Sequence, residues 1–184
     1  MSGNVSIDSY DISQLRRDLR STRFAHPLEY RDRVTSTNDR ILVMARRGAP
    51  EGTVALTEEQ TSGRGRRGHT WFSPPGIGIW TSFLLRPRIS GRHLPPLTIC
   101  AAYAVAKCIE ESTDIDISIK WPNDILIQDQ KVAGILAETK TMLKEGPCVV
   151  VGVGINVNHT TDVFPDEFQE TATSLRIVKG EPVF

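Results

Sequence analysis

The run Gly63-Arg64-Gly65-Arg66-Arg67-Gly68-His69-Thr70-Trp71 sets guanidinium groups among glycines. Arginine meets phosphate or carboxylate oxygens two at a time, and glycine lets the backbone approach an anion closely. The run satisfies G-x-G-x-x-G literally. With His69 in the lysine position it also falls one residue short of a P-loop. Both motifs need a helix immediately afterwards, because the helix N-terminus holds the phosphate. Trp71-Phe72-Ser73-Pro74-Pro75-Gly76 cannot open one, which excludes both. What is left is a flexible loop able to close over an anionic ligand and exclude water. An exposed linker and an Arg/Gly segment for RNA are the alternatives.

A second station of chemistry is Lys120-Trp121-Pro122-Asn123-Asp124, followed by Lys131. Pro122 breaks the strand ladder and pushes Trp121 to an extended backbone, so Asn123 and Asp124 either make an ordinary turn or face a site. Lys131 is a solvated edge charge or an ammonium fixed in a cleft. Gly134 marks a close approach or a bulge. In 149–157 every odd position is apolar and branched, while 152, 154 and 156 are Gly, Gly and Asn. One face is core. The other is bare, either for a flat ligand or for a tightly packed helix.

The elements that must position these residues follow from periodicity. Ile12, Leu15 and Leu19 make a short amphipathic helix over 11–20. Leu28 to Val34 is a strand. Ser36-Thr37-Asn38-Asp39 supplies N-cap chemistry for a helix to about Arg47, stopped by Gly48 and Pro50. Strands are expected at 53–57 and 77–85, then an alanine-rich helix over 97–111 opened by Pro95-Pro96. A half-buried strand at 115–120, a hairpin of 125–127 and 132–139 about Gln128-Asp129-Gln130, and a strand at 149–158 complete the pattern. The chain stops without a clear closing element. The order predicts an α/β (α+β) fold with a mixed sheet, and excludes a doubly wound Rossmann sheet.

The chain of 184 residues suits one domain. Its 22 basic and 22 acidic side chains balance, which argues against a protein that coats nucleic acid or an acidic membrane. Locally the balance fails. Residues 60–109 hold Arg64, Arg66, Arg67, Arg86, Arg88, Arg92 and Lys107 with no acid, a pattern that suits a small anionic ligand or a solvated basic face. The N-terminus lacks the regions of a signal peptide, and no apolar stretch reaches membrane-span length. Cys100, Cys108 and Cys148 lack C-x-x-C spacing and read as free thiols. A cytoplasmic protein is expected.

Four motifs in order resemble the biotin–protein ligases. They are Ser36-Thr37-Asn38; Gln60-x-x-Gly63-Arg64-Gly65-Arg66-Arg67-Gly68-x-x-Trp71; Lys120-Trp121-Pro122-Asn123-Asp124 with Lys131-x-x-Gly134-Ile135-Leu136-x-Glu138; and Gly152-Val153-Gly154-Ile155-Asn156-Val157. The resemblance implies a mixed, mostly antiparallel sheet flanked by helices, of the kind found in class II aminoacyl-tRNA synthetases. It implies activation of biotin by ATP to biotinyl-5′-AMP, with Mg²⁺, and transfer of biotin to one lysine of a biotin carboxyl carrier protein. By position, Arg66 and Lys131 are catalytic. Ser36, Thr37, Asn38, Gln60, Gly63, Arg64, Gly65, Arg66, Lys131, Gly134, Gly152 and Gly154 bind biotin. Arg64, Arg66, Trp71, Asn123, Lys131 and Asn156 bind the nucleotide, and no residue is assigned as a metal ligand.

The resemblance carries further expectations. Residues 1–184 form one catalytic domain, with a helical stretch at about 1–22 and without the small SH3-like barrel that follows in the family. The stretch ahead of Ser36 is too short for a winged helix, so no DNA partner is expected. Neither is a membrane partner, and a homodimer is left open. His69 replaces an arginine found in many members. A lipoate-type ligase of the same fold and a biotin-binding module without turnover are the competing readings.

Overall fold

The computed structural model describes residues 10–87, 96–142 and 146–184. Residues 1–9, Arg88, Arg92 and Pro95 lie outside the described residues. Helix α1 (Ile12–Asp18) starts where the Asp11 side chain accepts from the Gln14 amide. Strand β1 (Leu28–Val34) leads into α2 (Thr37–Arg46), and β2 (Val54–Gln60) returns parallel to β1. Every later pairing between the named strands is antiparallel. These are β3 (Gly78–Leu85), β4 (Ser118–Lys120), β5 (Asp124–Ile127), β6 (Gln130–Met142) and β7 (Gly146–Asn156). The sheet order is β1-β2-β3-β7-β6-β5-β4. Helix α3 (Pro96–Thr113) bridges β3 and β4. The mixed, mostly antiparallel sheet is the expected fold class.

β7 divides the molecule. Val149, Val151 and Val153 join Ala102, Ala106 and Ile109 of α3 in one core. Cys148 and Val150 join Ile41, Leu42 and Ala45 of α2 in another, on the opposite face. Period-two alternation forces this split, because successive side chains of a strand leave by opposite faces. The even face continues as Gly152, beneath Asn38 in the first turn of α2, and then as Gly154, where a cleft begins.

Three boundaries differ from expectation. The strand foreseen at 115–120 shrinks to Ser118–Lys120, and Ile119 is exposed. Ile115 and Ile117 do pack against the α3 core, but β5 offers partners only to 118–120. The hairpin turn is Gln128-Asp129 alone, both with positive φ, so Gln130 already belongs to β6. This matches a two-residue turn whose twist suits the flanking strands. The chain also acquires a closing element, helix α4 (Leu175–Lys179), capped by Ser174 and ended by Gly180 at φ 78°. Five residues were too few to show a helical period.

Candidate functional site

The first turn of α2 builds the polar end of the cleft. Ser36 sits at the N-cap without making a cap bond of its own. Gln60, at the end of β2, takes over that task. Its Oε1 accepts from the Thr37 amide at 2.9 Å and from the Thr37 hydroxyl at 3.1 Å. Gln60 Nε2 donates to Ser73 Oγ at 2.9 Å, and Ser73 Oγ donates to the Trp71 carbonyl at 3.1 Å. Ser82, on β3, donates to Asn38 Oδ1 at 2.6 Å, and its oxygen lies 2.7 Å from Thr37 Oγ1. Asn38 Nδ2 donates to Glu138 at 2.7 Å. Ser36, Thr37, Asn38 and Ser82 are buried, so an unmade bond there would cost the full desolvation of the group. The network leaves a neutral face of donors and acceptors.

The Gly/Arg loop is a closed hairpin rather than an open strap. Gly65 donates to the His69 carbonyl at 2.7 Å, and Trp71 donates to Gly63 at 2.9 Å. Arg67 and Gly68 turn its tip at φ 55° and 81°. No helix follows, as Trp71 to Gly76 predict. The hairpin aims its arginines in different directions. Arg64 forks onto Asp39 at 2.7 and 2.8 Å, with Glu138 at 3.5 Å. Arg66 Nη1 donates to Asn123 Oδ1 at 2.7 Å. Asn123 Nδ2 in turn donates to Asp124 at 2.8 Å. Arg64, by hydrogen bond and charge, holds the Asp39 carboxyl below the usual carboxylate range, and Asp39 raises the guanidinium.

Lys131 reaches the cleft through a fault in the ladder. Ala133 pairs with Ile125, but Lys131 pairs with Leu126, so Val132 is an extra residue in β6. A bulge of this kind re-aims a side chain. Without it Lys131 would share the core face of Ala133 and Ile135. With it Lys131 shares the face of Gly134 and Asp124, and its Nζ lies 2.7 Å from Asp124 Oδ1. The main chain of Lys131 is also gripped. Its amide donates to Thr171 O at 2.8 Å, and its carbonyl accepts from Thr173 at 3.0 Å. Asn156 Nδ2 spans that carbonyl at 3.4 Å and the Thr173 carbonyl at 3.0 Å. The bulge adjoins Gly134, one of the two roles the glycine suggested.

Trp71 lies flat on the floor of the site. A methyl group on Gly154 would run into its indole, and one on Gly152 would run into the Asn38 carboxamide. The bare face of β7 therefore receives the protein's own indole and an α2 side chain. Lys131 Nζ sits 5.1 Å from the Trp71 ring centre, within cation–π range. Trp71 and Lys131 stand where three clefts meet. A narrow one of about 450 Å³ runs to the polar end. A second of about 950 Å³ has walls from Phe72, Phe164 and Phe168. An open groove of about 1850 Å³ passes Lys120, Trp121 and Arg67.

The narrow cleft gathers Ser36, Thr37, Asn38, Gln60, Arg64, Gly65, Arg66, Trp71, Asn123, Lys131, Gly134, Gly152 and Gly154. Gly63 stands apart, with the Trp71 carbonyl and Ser73 where its side chain would be. Asn156 lines only the second cleft, and its amide protons are spent on main-chain carbonyls. Sequence reasoning gave no role to Asp39, Ser82, Ser73, Phe164 or Phe168. Asp39 looked like helix-capping chemistry, and Glu138 stood in a motif without a task. The balance of basic residues over 60–109 was the one available signal that carboxylates must come from elsewhere.

Comparison with known proteins gives the family. The family model described as Biotin/lipoate A/B protein ligase family matches residues 30–156. The bifunctional ligase/repressor BirA of Bacillus spizizenii is 43% identical over 171 residues, which are 93% of this chain and 53% of that protein. The biotin--[acetyl-CoA-carboxylase] ligase of Mycobacterium tuberculosis is 36% identical over 145 residues, 76% of this chain and 51% of that one. The structure of biotin protein ligase from Aquifex aeolicus in complex with biotin and ATP superposes with a TM-score of 0.72 at 35% identity, covering 85% of this chain and 62% of that one. The chain spans about half the length of the curated relatives it matches. The matched stretch runs from before Ser36 to Asn156 and so holds the four motifs singled out in the sequence, while Phe164 and Phe168 lie beyond it: the chain belongs to the biotin/lipoate A/B protein ligase family.

Proposed function

We propose that this chain joins biotin to ATP as biotinyl-5′-adenylate and passes the biotinyl group to a lysine of a biotin carboxyl carrier domain. One observation carries the reading. The narrow cleft has a neutral hydrogen-bonding end at Ser36, Thr37 and Gln60 and a cationic end at Arg66 and Lys131. That suits a ligand with a ureido group at one end and a carboxylate at the other. Sequence identity above 30% to proteins named as biotin ligases supports biotin over lipoate.

The chemistry follows from charge. A carboxylate oxygen attacks the α-phosphorus, the new O–P bond forms, and the bond to pyrophosphate breaks. Two anions must meet, so the step needs cations placed beforehand. Arg66 and Lys131 supply them, and positioning plus electrostatics then carry the rate without a covalent enzyme intermediate. The second cleft, walled by Trp71, Asn156, Phe164 and Phe168, is the space this reading gives to ATP. Mg²⁺, carried by the polyphosphate, would neutralise part of its charge. Among the described residues no group of three His, Cys, Asp or Glu side chains stands ready to hold an ion. An ion carried mainly by phosphate oxygens and water needs no more than one or two carboxylates. In the second step the neutral amine of the carrier lysine attacks the acyl carbon, the C–N bond forms, the C–O bond to AMP breaks, and the nitrogen gives its proton to water. The open groove beside Lys131 is the approach this reading gives to the carrier lysine.

The test is calorimetric titration of the chain with biotin, with and without MgATP, beside biotin-dependent ATP/pyrophosphate exchange. Tight binding that tightens further with MgATP, together with exchange, is the expected result. Lipoate outcompeting biotin in the exchange assay would transfer the site to the lipoate branch. Binding without exchange would make the chain a biotin-holding module.

A further inference from the structure

Arg64 is surrounded differently from the other two cations of the cleft. Both prongs of its guanidinium are taken by Asp39, and Glu138 lies 3.5 Å away. One cation there faces two carboxylates, so this end of the site carries a net charge of about −1 by simple count. Arg66 has a neutral amide for a partner, and Lys131 shares one carboxylate, Asp124. That end holds two cations against one acid. An incoming anion is therefore repelled at Arg64 and attracted between Arg66 and Lys131.

The acidic pair is rigidly mounted. Asp39 stands in the first turn of α2. Glu138 accepts from Asn38, whose carboxamide is held by Ser82 and backed onto Gly152. Arg64 is coupled to the rest of its loop by the bridge to Thr70 and by the hydrogen bonds that close the hairpin. Fixing Arg64 therefore fixes residues 63–71, including Trp71 above the sheet.

We propose that Asp39 and Glu138 are positioning residues: they hold Arg64, and through it the 63–71 hairpin, against α2, and they bar anions from that end of the cleft. Arg64 is then a strut and not a clamp for the substrate's negative charge. A ligand with one neutral and one carboxylate end enters neutral end first, towards Thr37 and Gln60. The orientation rests on the biotin reading above, whereas the strut does not.

The test uses the full chain with Arg64→Gln, Asp39→Asn, Glu138→Gln and the Arg64→Gln/Asp39→Asn double variant, each checked by thermal melting. Biotin and its neutral carboxamide are titrated by calorimetry. Arg64→Gln weakens both by the same factor, about two- to fivefold, as expected for a half-exposed ion pair. The double variant then costs no more than the worse single variant, because the two residues act as one unit. In the ligand-free state trypsin cuts after Arg66 or Arg67 about two- to fivefold faster in Asp39→Asn and in Glu138→Gln than in the wild type. An Arg64→Gln loss more than about tenfold larger for biotin than for the carboxamide would make Arg64 an anion clamp and overturn the proposal. Wild-type cleavage rates in both acidic variants would remove the strut. A wild-type chain that binds neither ligand would sink the biotin reading, and the cleavage rates would still decide the strut.

Discussion

Lys131 and Asp124 pair at 2.7 Å across a bulge that exists only because Val132 is one residue too many for its partner strand. The pair joins the ammonium to Asn123 and Arg66 in one hydrogen-bonded chain. Any anion arriving between Arg66 and Lys131 must displace some of these contacts. That keeps the cations ordered before the ligand comes, which is what preorganised electrostatic stabilisation requires.

Replacing Lys131 or Arg66 by alanine should lower biotin-dependent pyrophosphate exchange by about 10²–10³-fold, the usual cost of losing one preorganised donor. The melting temperature should stay near the wild-type value, since neither side chain belongs to a hydrophobic core. Exchange at wild-type rates in both variants would remove the roles assigned to them.

Gly154→Ala should be felt in the fold and in the site together. The added methyl meets the Trp71 indole, which the Trp80 ring also contacts at a steep angle with ring centres 6.3 Å apart. Overpacking of this kind costs about 1–3 kcal/mol. Urea denaturation should show that loss, and tryptophan fluorescence should shift as Trp71 is pushed towards solvent. Wild-type stability and spectrum together would mean that the indole does not rest there.

His159 makes stability depend on pH. Its ring is fully buried among Phe72, Trp80 and Phe164 and is stacked on Phe164 at 4.8 Å. Burial pulls its pKa from 6.5 down to about 4, only partly opposed by the Ile77 carbonyl. The unfolded imidazole binds its proton near 6.5 and the folded one near 4, so the unfolded state holds more protons between those values. Stability is full above about 6.5 and falls as pH drops towards 4, by up to about 3 kcal/mol. Urea midpoints at pH 7.5 and pH 5 should differ in the wild type. His159→Phe should flatten the difference, and an equal slope in both proteins would refute this source of it.

Ser174 caps α4 and ties it to the end of β7. Its hydroxyl donates to the His159 carbonyl at 2.7 Å and accepts from the Ile177 amide at 3.1 Å, all in a buried position. Ser174→Ala should cost about 1–2 kcal/mol, by the loss of a cap and of a buried partner. Thermal melting reads it. An unchanged midpoint would show that α4 contributes nothing to the stability of the fold.

Local pattern reached the elements and stopped at their partners. The alternation in β7, the stop at Gly48 and Pro50 and the apolar face of α3 each lie within one stretch of chain, where spacing alone carries the information. The hairpin about Gln128-Asp129 was legible for the same reason. Asp39 and Arg64 are 25 residues apart, and Asn38 and Glu138 are 100 apart. Nothing in the local pattern of either partner announces the other. The bulge at Val132 was hidden for another reason. Val132 and Ala133 are both apolar, so the run reads as ordinary strand although its parity changes between them. Most residues of the four motifs nonetheless line one cleft, where the Gly/Arg loop and Lys131 meet over the bare face of β7.

β7 is a ruler with two scales. Its odd marks are the core against α3, and its even marks are first the seat of α2 and then the floor of the cleft. Inserting or deleting a single residue between Val149 and Gly154 would exchange the scales beyond that point, sending valines into the ligand space and glycines into the core. Length variation in this strand is therefore restricted to steps of two. A library of one- and two-residue insertions scored for soluble expression should show that period directly.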